Sequence, residues 1–164
     1  MLSFIIPISY IYKKLLVDIY EVCFVLSTLW VGPFWFAMLI NPYKEKTKKL
    51  LKGPWFYLGP MIIWFFLMCL NPEGLIELTT PTSEEGGILD LLSSALSTRA
   101  GVTATWVHMV AGDFFATRWI WKKCIEHNAN KWIMRLSVFF GVMLMPVGLG
   151  IYTIFVPKSK NSFN

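Results

Sequence analysis

Four stretches of this chain are each about as long as a bilayer is thick, and each is only sparsely charged: Val17–Ile40, Pro54–Leu70, Gly101–Trp121 and Trp132–Val156. About 20 apolar residues in a helix cross roughly 30 Å of hydrocarbon. Runs of that length leave few ways to build a water-facing surface. Proline-containing boundaries punctuate them, at Asn41-Pro42, Gly53-Pro54, Asn71-Pro72 and Val156-Pro157. Charged residues make up 15% of the chain and aromatics 16%, against about 25% charged in a soluble domain. The expected fold is therefore an all-α integral membrane protein. Four transmembrane helices occupy a single domain, 17–156, with spans at about 17–40, 54–70, 101–121 and 132–156. The start, "MLSFIIPISYIY", is apolar, but its lysines, Lys13 and Lys14, follow the apolar run. A secretory signal has its positive charge first, and a transit peptide is rich in arginine and serine. Residues 1–16 are expected to be a short interfacial segment, and 157–164 a polar tail.

Lysine and arginine positions set the expected orientation. Lys44, Lys46, Lys48, Lys49 and Lys52 lie in one connection, and Arg118, Lys122, Lys123, Lys131 and Arg135 lie around another. The opposite side carries Lys13, Lys14, Arg99, Lys158 and Lys160 with the acidic cluster Glu73, Glu77, Glu84, Glu85 and Asp90. Both termini are expected on that acidic side. Lys44, Lys48, Lys49, Lys122 and Lys123 are read as contacts to the lipid interface. The net charge of +5 is thus a membrane signature, and nucleic acid is not an expected partner. In "GILDLLSSALS", about 87–97, apolar residues recur at the helical period, which predicts a short amphipathic helix that lies on the membrane, docks on a partner or, the preferred reading, simply covers the bundle as a lid. Cys23, Cys69 and Cys124 have no metal-site spacing and form no disulfide framework.

The third span is unusual because "WVHMVAGDFFATRW" carries His108, Asp113 and Arg118, each five residues from the next. On a helix His108 aligns with Ala104, Gly112 and Ala116, so it is expected to point into a helix–helix contact. Asp113 lies about 140° away, in line with Trp106, Val110 and Thr117. Near mid-span its charge costs about 2.5–3.5 kcal/mol, which makes it the leading functional candidate; the alternative is a polar clamp that holds the bundle together. Its expected partners are Thr28 or Trp64. Arg118 is close enough to the basic end to snorkel. Glu21 is placed to reach Arg99 or, less well, His108, and Arg135 sits one turn into the fourth span. Glu21, Arg118 and Arg135 are expected to be structural polar groups.

At these residues the sequence resembles a family of small four-helix membrane proteins related to the plant abscisic-acid-deficient-four protein, which is linked to neoxanthin synthesis. The resemblance is carried by Trp106, His108, Asp113, Phe115, Arg118 and Trp119, and by Phe140, Gly141, Pro146, Gly148, Leu149 and Tyr152. It covers roughly residues 22–154, with "GPFW" and Asn41-Pro42 fitting more loosely. It implies conversion of a violaxanthin-like xanthophyll by opening an epoxide into an allene. That chemistry needs a proton donor at the epoxide oxygen and a base for the departing proton, roles the resemblance gives to Asp113 and His108.

Two classes of function remain open, so catalysis itself is undecided. The aromatic content and polar tails favour an accessory subunit of a large respiratory or photosynthetic complex. The partners would then be membrane lipids and other membrane subunits, with the mitochondrial inner membrane preferred. The alternative is a xanthophyll-modifying enzyme or carotenoid-binding protein of a plastid membrane. No cofactor is required by either, beyond bound lipid or carotenoid.

Overall fold

The computed structural model describes residues 8–73 and 87–156. The described residues are all-α. Seven helices follow one another: α1 Ile8–Ile40, α2 Glu45–Leu50, α3 Trp55–Leu70, α4 Ile88–Ser97, α5 Arg99–Glu126, α6 Lys131–Met143 and α7 Met145–Phe155. Among the described residues, two segments, Ile19–Ile40 and Glu45–Leu70, are long and apolar enough, by length and composition, to cross a membrane. α1 is a single helix of 33 residues, about 50 Å at 1.5 Å per residue. The expected interfacial segment 1–16 is therefore not a separate element from Ile8 onward, because no residue there stops the helix. Residues 1–7 and the tail 157–164 lie outside the described residues, as does the acidic run at Glu77, Glu84 and Glu85. The amphipathic helix expected at about 87–97 is α4, and Gly87 opens it with its N–H donating to the Asp90 carboxylate at 3.1 Å.

α5 is the hub, packed against α1, α3, α4, α6 and α7. Val107, Phe114, Thr117, Ile120 and Cys124 along it are fully buried. A helix surrounded on most sides can carry polar groups that a lipid-facing helix cannot, which explains why the least apolar of the long helices is the central one. Its C-terminal end is a Schellman motif. Asn128 takes a left-handed φ of 49°, Ala129 N–H donates to the Cys124 carbonyl at 2.8 Å, and Asn128 N–H donates to Ile125 at 3.1 Å. α1 and α3 meet at Gly59, where an added Cβ would collide with the Trp30 indole. Trp30 Nε1 there donates to the Trp55 carbonyl at 3.0 Å.

The expected fourth span, 132–156, is not one helix. It breaks at Leu144 (φ −150°, ψ 78°) because Pro146 has no N–H to donate and its ring clashes with the preceding turn. α7 then folds back on α6. A Cβ on Gly148 would strike the Gly141 backbone and the Ser137 carbonyl, and one on Gly141 would strike Thr117. Tyr152 ends up against Trp119, their ring centroids 5.3 Å apart, at the basic end where α6 began. The last two helices are a hairpin of 13 and 11 residues, each roughly 17–20 Å long. Val156 lies at the end opposite to the one expected for the C-terminus.

Candidate functional site

α4 joins α5 through Thr98, whose hydroxyl serves both helices. It donates to the Ala95 carbonyl at 2.9 Å and accepts from Gly101 N–H at 3.0 Å. Gly101 is needed at this corner because a Cβ there would run into Ala95. The corner folds α4 over the gap between α3 and α5 and leaves a cavity of about 340 Å³, near the lower end of the roughly 300–1,000 Å³ typical of ligand pockets. Leu67, Met68, Leu92 and Leu96 give it apolar walls. Trp64, Asn71, Thr105 and His108 supply its polar and aromatic groups.

His108 therefore does not enter a helix–helix contact as expected. Its side chain is exposed in the cavity, with its ring 6.2 Å from that of Trp64 and tilted by 44°. The small-residue stripe is split: Ala104 is buried in a cluster with Cys23 and Leu67, whereas a Cβ added at Gly112 would meet open space. Close packing occurs instead one helix face away, where Thr117 meets Gly141. Asn71 is held in place by Tyr20 on α1. Its Nδ2 donates to the Tyr20 oxygen at 2.8 Å, and the Tyr20 hydroxyl lies 3.1 Å from its Oδ1. Sequence reasoning missed Asn71 and Thr105; Asn71-Pro72 was legible only as a span boundary.

Asp113 is half-buried on another face of α5, the one shared by Trp106 and Thr117. Both of its expected partners are engaged elsewhere. Thr28 accepts from Trp106 Nε1 at 2.9 Å, and Trp64 faces His108. Among the described residues no side chain donates to the Asp113 carboxylate, although its backbone carbonyl accepts from Thr117 Oγ1 at 2.7 Å. The structure thus does not bring His108 and Asp113 together. Among the described residues, two buried polar atoms, Trp121 Nε1 and Ser137 Oγ, have no hydrogen-bond partner, and neither residue lines the cavity.

The structural polar groups are clearer. Arg99 lies 3.2 Å from the Glu21 carboxylate, as the sequence suggested. Arg118 does not snorkel into water. Its Nε donates to the Leu51 carbonyl at 2.7 Å, and its guanidinium sits 4.9 Å above the Phe56 ring. Arg135 donates through Nε to the Leu39 carbonyl at 3.1 Å. Arg118 and Arg135 thus each satisfy a carbonyl that the end of a helix leaves without a partner. Of the five lysines read as lipid contacts, Lys48 pairs with Glu45 at 2.7 Å, and Lys122 and Lys123 pair with Glu126 at 3.8 and 2.7 Å.

The family model described as ABA DEFICIENT 4-like matches residues 22–152, from α1 through Tyr152 of the hairpin. This chain belongs to the ABA DEFICIENT 4-like family. A curated relative, Protein ABA DEFICIENT 4, chloroplastic, of Arabidopsis thaliana, is 28% identical over 141 residues. That alignment covers 83% of this chain and 60% of the relative, so the chain spans well under two thirds of that relative's length. No solved structure matches it significantly. Among these ABA DEFICIENT 4-like matches nothing supports the preferred reading as a respiratory accessory subunit of the mitochondrial inner membrane.

Proposed function

We propose that this ABA DEFICIENT 4-like chain is a membrane protein that binds the ring end of a xanthophyll beneath α4 and isomerises it at His108. Cavity size supports the reading: about 340 Å³ accepts a substituted ring while the long polyene continues outward between helices. The arrangement of groups supports it too, since an apolar chamber with a few convergent polar side chains is the usual form of a small-molecule site. Epoxide opening to an allene is an isomerisation. The C–O bond breaks as the oxygen gains a proton, and a neighbouring carbon loses one as the new double bond forms. One proton enters and one leaves, so a single imidazole that first gives and then takes a proton closes the cycle without a redox partner. Asn71, fixed by Tyr20, orients the ring oxygen, and Trp64 stacks on the hydrocarbon.

In this reading α1, α3 and α5 cross the bilayer and the α6–α7 hairpin enters and leaves on the basic side, replacing a fourth crossing. The word chloroplastic in the relative's name supports a plastid membrane over a mitochondrial one.

His108→Gln keeps size and polarity but cannot exchange protons. Reconstituted with an epoxy-xanthophyll, it should bind pigment within about threefold of the parent while turnover falls by about 10²–10⁴. Turnover that survives this change overturns the assignment of His108. Pigment bound but never converted by the unaltered chain would make it a carotenoid-binding protein instead.

A further inference from the structure

At the opposite end of the molecule from the His108 cavity, α1 runs out at Ile40 beside the start of α6. Between them lies a second cavity of about 230 Å³ whose walls include Asn41, Tyr43, Lys44, Lys131 and Arg135. Three cations converge there and no carboxylate lines it. Three other lysines at this end have acidic partners: Lys48 has Glu45, and Lys122 and Lys123 have Glu126. The Lys123 hydrogen bond holds the Glu126 carboxyl below its ordinary range. Among the described residues, no carboxylate comes within ion-pair distance of Lys44, Lys131 or Arg135.

The three cations are also positioned. Arg135 is half-buried, and its bond from Nε to the Leu39 carbonyl at 3.1 Å fixes the guanidinium plane while leaving its terminal N–H groups available. Lys131 Nζ lies 5.9 Å from the centre of the Tyr43 ring, which keeps the ammonium at the mouth. Convergent like charges without a counter-charge repel one another, and an anion relieves that repulsion. Guanidinium and ammonium groups together suit the tetrahedral oxygens of a phosphate or sulfonate. Ile40 and Trp132, 62% and 70% exposed, flank the cations with apolar surface at the level where tryptophans border a membrane.

We propose that this cavity is a binding site for a phosphate- or sulfonate-type anion, presented by a lipid headgroup or free in solution. Basic pockets between helix ends are a recurring way to hold anionic lipid. The site stands independently of the xanthophyll reading.

The test uses the full chain in phosphatidylcholine nanodiscs, titrated in one arm with phosphatidylglycerol and in the other with inorganic phosphate. Bound lipid is counted by native mass spectrometry and bound phosphate by phosphorus NMR. Saturable binding in the first arm identifies a lipid headgroup, and in the second a free anion. The double variant Lys44→Gln/Lys131→Gln should bind about tenfold more weakly. Lys46→Gln/Lys49→Gln removes the same charge outside the cavity and should change affinity less than twofold. The proposal is overturned if neither arm saturates, or if both double variants weaken binding equally. Neither pair makes a hydrogen bond that links helices, so both variants should fold, and circular dichroism verifies that they do.

Discussion

Asp113 was singled out in the sequence because an isolated charge at mid-depth is unfavourable, and the structure gives that charge no partner among the described residues. Its replacement by asparagine should therefore fold at least as well as the parent, with thermal unfolding in nanodiscs unchanged or raised by a few degrees. A loss of about 2 kcal/mol or more would reveal a partner beyond the described residues. Glycines separate just as cleanly. Gly148→Ala places a methyl group against backbone that cannot yield, at a cost of about 1–3 kcal/mol. Gly112→Ala enters open space and should stabilise by up to about 1 kcal/mol through helix propensity. Both are read from thermal unfolding. At this scale the sequence was legible where partners sit at one level on parallel helices, as with Glu21 and Arg99. It was not legible for His108. Spacing places a histidine on a face, but only the neighbouring helices decide whether that face is packed or open.

Among the elements, α4 and the basic connection behave differently from ordinary loops. α4 was visible as an amphipathic period, but its role as the roof of a cavity depended on the Thr98–Gly101 corner, which leaves no periodic trace. Gly101→Val should displace α4 and weaken pigment binding at least tenfold while circular dichroism stays unchanged; unaltered affinity would show that the roof is dispensable. α2 was missed altogether, since six residues rich in lysine look like a solvated turn. Thr47 binds it to the Asn41 carbonyl at 2.8 Å, and Arg118 caps its far end. Arg118→Ala should lower stability by about 1.5–3 kcal/mol, the range for a charged hydrogen bond. It should also expose the Lys44–Lys52 connection to trypsin; equal cleavage of parent and variant would argue against the cap.

For the whole molecule, hydropathy identified an all-helical chain and most helix positions but did not show that the segment 132–156 is two helices and not one. A mostly apolar segment such as 132–156 looks the same whether it continues straight or doubles back, and Pro146 with Gly141 and Gly148 reads as a family signature instead of a fold. The bundle sends Ile8 and Val156 toward opposite ends. A cysteine added after the last residue should react with a membrane-impermeant maleimide from the same side as Lys48→Cys, and a cysteine before Met1 from the other. Labelling of both added termini from one side would restore four crossings.

In the topology proposed above, the doubled-back hairpin would also set the shape of the molecule in a bilayer. Its two short helices would add cross-section to one leaflet and none to the other, where the roofing helix would rest near the surface. Such a body would be a wedge, broad on its basic side. It would collect where that leaflet is the stretched, outer one of a bend, so that the curvature of a membrane, as much as its lipid, would decide where the protein accumulates.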